Sequence, residues 1–187
     1  IQPKKDTWDI DAINHYREQI KEAKRQGFTT FVTLWHWTLP AWVAHADGWA
    51  NKQTVEWFAE YVRLVVKEFG GGVDHWVVLN EPMMFVFGAY IKAYHPPGKF
   101  NIRSAYKAVN NLVDGYHHAY DIIHAHFPYT MIGNANMLNY FEPAHWWNPL
   151  EQLLARAGHY LYNQYFLAKT RDKTDFIGVN YYFHDRI

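Results

Sequence analysis

The apolar residues of this chain follow two alternating patterns. Four segments carry them at the three- and four-residue spacing of an amphipathic helix. Polar capping residues precede each segment, and glycines follow the first two, at Gly27 and at 70–72. The predicted helices begin at Asp9, Asn51, Ser104 and Asn148 and extend to about residues 25, 69, 126 and 165.

Between these helices lie short continuous apolar runs, rich in β-branched and aromatic residues, which are typical of buried parallel strands. The predicted strands are residues 28–37, 73–80, 131–137 and 176–182, the third being interrupted by Asn134 and Asn136. Helix and strand alternate four times, which indicates a parallel sheet covered by helices. Residues 82–103 are predicted to be a long ordered loop over the strand ends.

Polar side chains cluster where three of these strands end. Asn80 and Glu81 follow an apolar run that Pro82 terminates, and the other two clusters are His36-Trp37 and Asn180-Tyr181-Tyr182. In an α/β barrel the carboxyl ends of the strands form the catalytic face. Three clusters at one edge therefore predict an active site, although a lone strand-end Glu could also cap a neighbouring helix.

The predicted fold class is α/β, and the architecture is a TIM (β/α)8 barrel of which this chain covers about four central strands. Four strands cannot close an eight-stranded barrel, so residues 1–187 are expected to be one partial barrel domain. Such a domain has two exposed sheet edges, so the remainder of the barrel is expected as a partner, from the same or another chain.

Composition narrows the possible partners. The 18 basic and 18 acidic residues give a formal net charge of zero and are interspersed, which argues against nucleic acid or an acidic membrane as a partner. Aromatic residues make up 19% of the chain, a content suited to stacking on sugars but also to a stable core.

There is no cysteine, signal peptide or run of 18 apolar residues, and we expect a cytoplasmic location. The chain begins at Ile1 instead of Met, which leaves its natural N-terminus open.

No cofactor or metal is expected. The glycines at 70–72 end a helix instead of opening one, so they do not predict a phosphate-binding loop. The third helix carries four histidines, which we interpret as packing or surface residues because no cysteine or acidic set accompanies them. These histidines are His117, His118, His124 and His126.

Several segments in this order resemble the retaining β-glycosidases of glycoside hydrolase family 1. They are FVTLWHWTLP with the following GW, VLNEP with the loop YHPPG, SAYKAVNNLVDGYHHAY, and DFIGVNYY. The resemblance implies strands three to six of an eight-stranded barrel, with the first two and last two strands absent. It also implies hydrolysis of terminal β-linked sugars with retention, by double displacement and without a cofactor.

The resemblance implies a role for each residue of the clusters. Glu81 matches the general acid/base and Asn80 matches the amide that binds the sugar 2-hydroxyl. His36 matches a ligand of another sugar hydroxyl, with Trp37 beside it in the same pocket. From the residues alone, a place in the core remains an alternative for both His36 and Trp37.

At the last strand, Tyr182 matches a tyrosine that hydrogen-bonds the nucleophile carboxylate, and Asn180 lies close by. A purely structural Tyr182 remains an alternative.

This chain also departs from the family pattern. The family nucleophile is a Glu in a T/S-E-N-G type motif on the seventh strand, and no such motif is present. The isolated chain is therefore expected to be inactive. Met83 stands where many members have a tryptophan, and either Asn134 or Asn136 could match the fifth-strand asparagine. Alternative functions are another barrel glycosidase of the same clan and a non-catalytic carbohydrate-binding or interaction fragment.

Overall fold

Four parallel strands form the central sheet of the computed structural model, which describes residues 1–182 and 184–186. The strands are β1 (Phe31–Trp35), β2 (His75–Asn80), β3 (Met131–Met137) and β5 (Phe176–Asn180), paired in that order. The prediction of four neighbouring parallel strands is confirmed, although the first strand starts three residues later and the last ends two residues earlier than predicted. Short chain segments β4 (Tyr140–Glu142) and β6 (His184–Arg186) form a separate parallel pair that the pattern did not reveal.

Seven α-helices connect or cover these strands in the described part of the chain. They are α1 (Ile10–Arg25), α2 (Ala41–His45), α3 (Thr54–Phe69), α4 (Pro82–Tyr90), α5 (Ile102–His126), α6 (Pro149–Gly158) and α7 (Tyr165–Thr170). A π-helical stretch, His159–Gln164, joins α6 to α7, and 3₁₀ turns occupy Gly48–Ala50, Gly70–Gly72 and Arg171–Lys173.

The core lies between the sheet and helices α3 and α5. Each helix presents one apolar stripe to the sheet, and the strands contribute side chains that are completely or almost completely buried. Central members are Val62, Val65, Trp76, Val78, Leu112, Tyr116 and Ile132. This core fixes the orientation of the strands and hence the positions of the residues at their carboxyl ends.

Two of the predicted helix caps are confirmed and two are wrong. The side chains of Asp9 and Asn148 accept backbone N–H groups of the first turns of α1 and α6. Helix α5 begins at Ile102, two residues before Ser104, and its cap is Asn101, whose side chain accepts the Ser104 N–H at 3.0 Å. Asn51 lies three residues before α3 and its side chain accepts the Gln53 N–H instead, within a preceding turn.

The predicted loop 82–103 is wrong in its first half, which forms helix α4. Pro82 occupies the first helical position, where its missing N–H costs nothing. Phe85, Val86, Ala89 and Tyr90 are all buried, so the helix has no polar face. A helix that is apolar all round shows no amphipathic period, which is why the sequence pattern concealed it.

The outer edges of β1 and β5 carry no further strand within residues 1–182 and 184–186. Large apolar side chains near these edges are exposed, among them Phe31 at 59% and Val179 at 59%. None of the helices in the described residues has the length and apolar character needed to cross a membrane.

Candidate active site

The backbone changes course where β2 ends. The register between β2 and β3 shifts from Val77 opposite Gly133 to Asn80 opposite Ala135, which leaves one extra residue in β2. Glu81 then adopts a left-handed conformation with φ 46° and ψ 54°, and its N–H donates to the Ala135 carbonyl at 2.7 Å. For a residue other than glycine, the left-handed conformation is unfavourable by about 1–2 kcal/mol. Strained residues of this kind concentrate at functional sites.

The carboxylate of Glu81 is buried in a pocket of polar side chains from β5 and the segment after it. Its side chain and backbone together are 5% exposed. Oε1 accepts one hydrogen bond from Asn180 Nδ2 at 2.7 Å and another from the Tyr182 hydroxyl at 3.1 Å. The described residues place no Lys, Arg or His within ion-pair distance of it. The hydrogen bond to Glu81, and then its charge, raise the pKa of Tyr182.

Asn80 connects this carboxylate to His36. Asn80 Oδ1 accepts from Asn180 Nδ2 at 3.3 Å, and Asn80 Nδ2 lies 3.2 Å from His36 Nε2. An amide nitrogen can only donate, so Nε2 of His36 accepts and the ring proton resides on Nδ1. Four of the predicted residues therefore form one hydrogen-bonded chain, from His36 through Asn80 and Asn180 to Glu81.

Trp37 contributes a further hydrogen bond to this group of residues, through the backbone of Asn80. It adopts a positive φ of 70°, and its indole Nε1 donates to the Asn80 carbonyl at 2.9 Å. The ring packs edge-on against His95, with centroids 5.0 Å apart. The indole N–H is thus hydrogen-bonded to the backbone and helps to fix the position of Asn80. The Trp37 ring is half-buried beside His36. His95 lies within the YHPPG segment, but nothing in the sequence pattern indicates its contact with Trp37.

The two strand asparagines of uncertain register also have defined places. Asn134 is completely buried, and its Oδ1 accepts the backbone N–H of Leu79 at 3.2 Å. Asn136 is also buried, at 4% exposed. Neither asparagine lies opposite Asn180 in the sheet, because Met137 occupies that position. The contact of Asn134 with β2 is not predictable from the sequence, because nothing in the local pattern marks the register shift.

Two other groups lie apart from this cluster. Asp185 is the only carboxylate after Asn180, and its Oδ2 accepts from Asn139 Nδ2 at 2.9 Å. On α5, His124 Nε2 lies 3.3 Å from Asp175 Oδ2, and His117 contacts the Lys169 carbonyl. Residues 1–182 and 184–186 contain no group of three or more potential metal ligands.

Comparisons with known proteins identify the family of this chain. The family model described as glycosyl hydrolase family 1 matches residues 2–170. Beta-glucosidase A of Thermotoga maritima is 31% identical over 198 residues, which cover 91% of this chain and 44% of that protein. The 1,4-beta-D-glucan glucohydrolase of Thermotoga neapolitana is 28% identical and covers 91% of this chain and 47% of its own length.

Solved structures give the same result. The family 1 β-glucosidase from Thermotoga maritima, in complex with isofagomine lactam, superposes with a TM-score of 0.87 at 27% identity. The match covers 96% of this chain and 47% of that structure. The chain therefore spans less than half the length of these relatives. With a family model matching most of its residues and the α/β fold of a partial barrel, the chain belongs to glycosyl hydrolase family 1.

Proposed function

We propose that this chain supplies the acid/base half of a retaining β-glycosidase active site, with Glu81 as the acid/base. The observation that carries the proposal is the buried Glu81 carboxylate, which accepts hydrogen bonds from Asn180 and Tyr182 and has no cationic partner in the described part of the chain. The names of its relatives, a beta-glucosidase and a glucan glucohydrolase, support a terminal β-linked sugar as substrate. Solved relatives that hold sugar-like inhibitors support a glycoside as well.

In this proposal Glu81 works twice. As an acid it gives its proton to the glycosidic oxygen while a second carboxylate attacks the anomeric carbon and the aglycone leaves as an alcohol. As a base it then takes a proton from water, whose oxygen displaces the second carboxylate and releases the sugar with retained configuration. Retention requires the two carboxyl groups to lie about 5–5.5 Å apart.

Neighbouring side chains hold the sugar. Asn80 would bind the 2-hydroxyl, a contact that strengthens in the transition state. His36 carries its free ring proton on Nδ1, so that nitrogen would donate to another hydroxyl group of the same sugar. Asn180 orients the Glu81 carboxylate through its 2.7 Å hydrogen bond. Tyr182 would lie between Glu81 and the second carboxylate, since its hydroxyl already reaches Glu81.

The second carboxylate belongs to the part of the barrel outside this chain, from the same or another polypeptide. We assign residues 1–187 to strands three to six of the eight, which agrees with coverage of 44–47% of the relatives' length. The exposed edges at β1 and β5 would receive the missing strands. By itself the chain has one of the two required carboxylates, so it should show no turnover.

The test uses the complete barrel that contains this chain. Glu81→Ala should lower kcat/KM on alkyl glycosides by orders of magnitude, because their leaving groups need protonation. An activated aryl glycoside should still form the covalent intermediate. Added azide should restore turnover of Glu81→Ala and give a β-glycosyl azide, since a small anion fits the vacated space and needs no general base.

Glu142→Gln is the matched control. Glu142 is a carboxylate of the nearby β4, and it forms an ion pair with Arg186 that is partly exposed to solvent. The Glu142→Gln substitution should leave kcat/KM on both substrates within a few-fold of the parent values. Equal losses of Glu81→Ala on both substrates, without azide rescue, would refute the assignment. Sugar binding without any turnover in the complete barrel would support a non-catalytic carbohydrate-binding function instead.

A further inference from the structure

We propose that Asn134 is a positioning residue that stabilises a one-residue bulge in β2 and thereby aims Asn80 and Glu81 into the site. The inference rests on the proposed function, because it assigns these two residues to substrate binding and catalysis. Asn134 itself is not expected to contact the substrate, since it is completely buried and its known contact is with the backbone of β2.

The bulge decides which way Asn80 points. Side chains alternate along a strand, so a regular β2 would place Asn80 on the face of Trp76 and Val78. Those two side chains are completely buried in the core. The extra residue between Val77 and Asn80 is counted against β3, whereas the pairing with β1 stays regular as far as Trp35 opposite Leu79, so the change of side-chain direction falls after Leu79, at Asn80. Asn80 consequently meets the side chains of His36 and Asn180 at the strand ends.

The same bulge leaves a backbone donor that needs a partner. Leu79 lies within the shifted stretch and is completely buried. Its N–H donates to Asn134 Oδ1 at 3.2 Å. An unpaired buried N–H costs about 1–3 kcal/mol, so the Asn134 side chain removes the main penalty for forming the bulge. The backbone ladder resumes one residue further along β3, where the Ala135 carbonyl accepts the Glu81 N–H at 2.7 Å.

The remaining atoms of Asn134 support this interpretation. Its Nδ2 is buried without a hydrogen-bond partner in the described part of the chain. A buried amide that satisfies only one of its two ends is a poor core residue. The carbonyl end is therefore the part that the fold uses, and it serves the bulge. Asn136 is also buried, and its Nδ2 likewise lacks a partner, but within the described residues its side chain makes no hydrogen bond to β2, so it provides a natural comparison.

The first test is structural and needs no activity. In the complete barrel that contains this chain, the Leu79 amide should exchange with solvent at least about tenfold faster in Asn134→Leu than in the parent, because its acceptor is lost. Asn136→Leu changes the size and polarity of a side chain on the same strand and should leave Leu79 unchanged. Asn134→Thr, which keeps an oxygen and suits a strand, should give an intermediate rate. Unchanged Leu79 exchange in a folded Asn134→Leu protein would overturn the proposal.

The second test is kinetic and uses the complete barrel. Misplacement of Asn80 should lower kcat/KM of Asn134→Leu on both substrates, and misplacement of the acid should add a further loss of about 10-fold on alkyl glycosides, whose leaving groups need protonation. A purely structural loss would reduce both substrates equally through the folded fraction. Asn111→Ala controls for that case, because it removes another buried side chain–backbone hydrogen bond, from α5 to the Trp49 carbonyl. Equal losses on both substrates would overturn the positioning role.

The two levels of inference can fail separately. If Glu81→Ala shows the substrate split and Asn134→Leu does not, only the positioning role fails. If neither variant shows it, the acid/base assignment fails first. If Asn134→Leu does not fold, Asn134→Thr carries both tests, and a parent-like Leu79 exchange with equal kinetic losses would overturn the proposal.

Discussion

Glu81 should lower the stability of the fold that carries it. Its carboxylate is almost completely buried and has no cationic partner among the described residues. The Glu81→Gln substitution keeps the length of the side chain and an oxygen that can accept from both Asn180 and Tyr182. It removes the charge. We therefore expect Glu81→Gln to be more stable than the parent, at the expense of acid/base function.

The contacts of the carboxylate set the magnitude. An ion buried in a protein carries a penalty of about several kcal/mol. The hydrogen bonds from Asn180 at 2.7 Å and Tyr182 at 3.1 Å offset part of it, since bonds to a charged group contribute about 1.5–3 kcal/mol each. Neutral replacements of these two bonds contribute about 1 kcal/mol each. The net gain should be about 1–2 kcal/mol, which corresponds to a rise in Tm of about 2–8 °C for a chain of this size.

Urea denaturation at pH 7 measures this difference. Parent and variant are compared in the same assembly state, verified by size-exclusion chromatography, because the exposed edges of β1 and β5 favour association. Glu142→Gln is the control, since it breaks a partly exposed ion pair with Arg186 and should lower the free energy of unfolding by no more than about 1 kcal/mol. A Glu81→Gln protein that is no more stable than the parent would contradict the reasoning.

Three further predictions concern the scaffold. The Lys24 ammonium, followed by a backbone N–H, lowers the pKa of Asp74 to about 2, so its contribution is present above about pH 4 and lost as the pH falls toward 2. In urea titrations, Asp74→Asn should cost about 1 kcal/mol at pH 7, a figure reduced because the side chain is 33% exposed, and much less at pH 2, where only part of the carboxylate is ionised. Gly133→Ala would place its Cβ 2.1 Å from the Phe176 carbonyl oxygen and should lower the free energy of unfolding by more than about 3 kcal/mol. The control is Gly71→Ala, whose Cβ meets no atom within 4 Å and which should change the melting temperature little. Asn101→Ala should cost about 1 kcal/mol as the loss of a cap in thermal melts, and Ser104→Ala next to it should be nearly neutral; the reverse ranking would restore Ser104 as the cap.

The sequence by itself determined the order of elements and the composition of the site. Strands such as residues 73–80 are recognisable because a buried parallel strand needs a continuous apolar run, which is a local property. Parallel strands with helical connections must then align their carboxyl ends at one edge. That rule brings His36, Asn80, Glu81 and Asn180 together without any knowledge of coordinates, and the hydrogen-bonded chain between them agrees with it.

Only the tertiary structure decided how those residues are aimed. Helix α4 escaped detection because it is buried all round, and burial on every side erases the periodic signal. The bulge in β2 depends on its register with β3, more than 50 residues away, and local propensity does not encode such a register. The contact of Asn134 with Leu79 belongs to that pairing. The left-handed Glu81 and the hydrogen bond from the Trp37 indole to the Asn80 carbonyl likewise depend on segments that are distant in sequence. The residue types of the site can therefore be predicted from the sequence, while its geometry arises from contacts between strands that are distant in sequence.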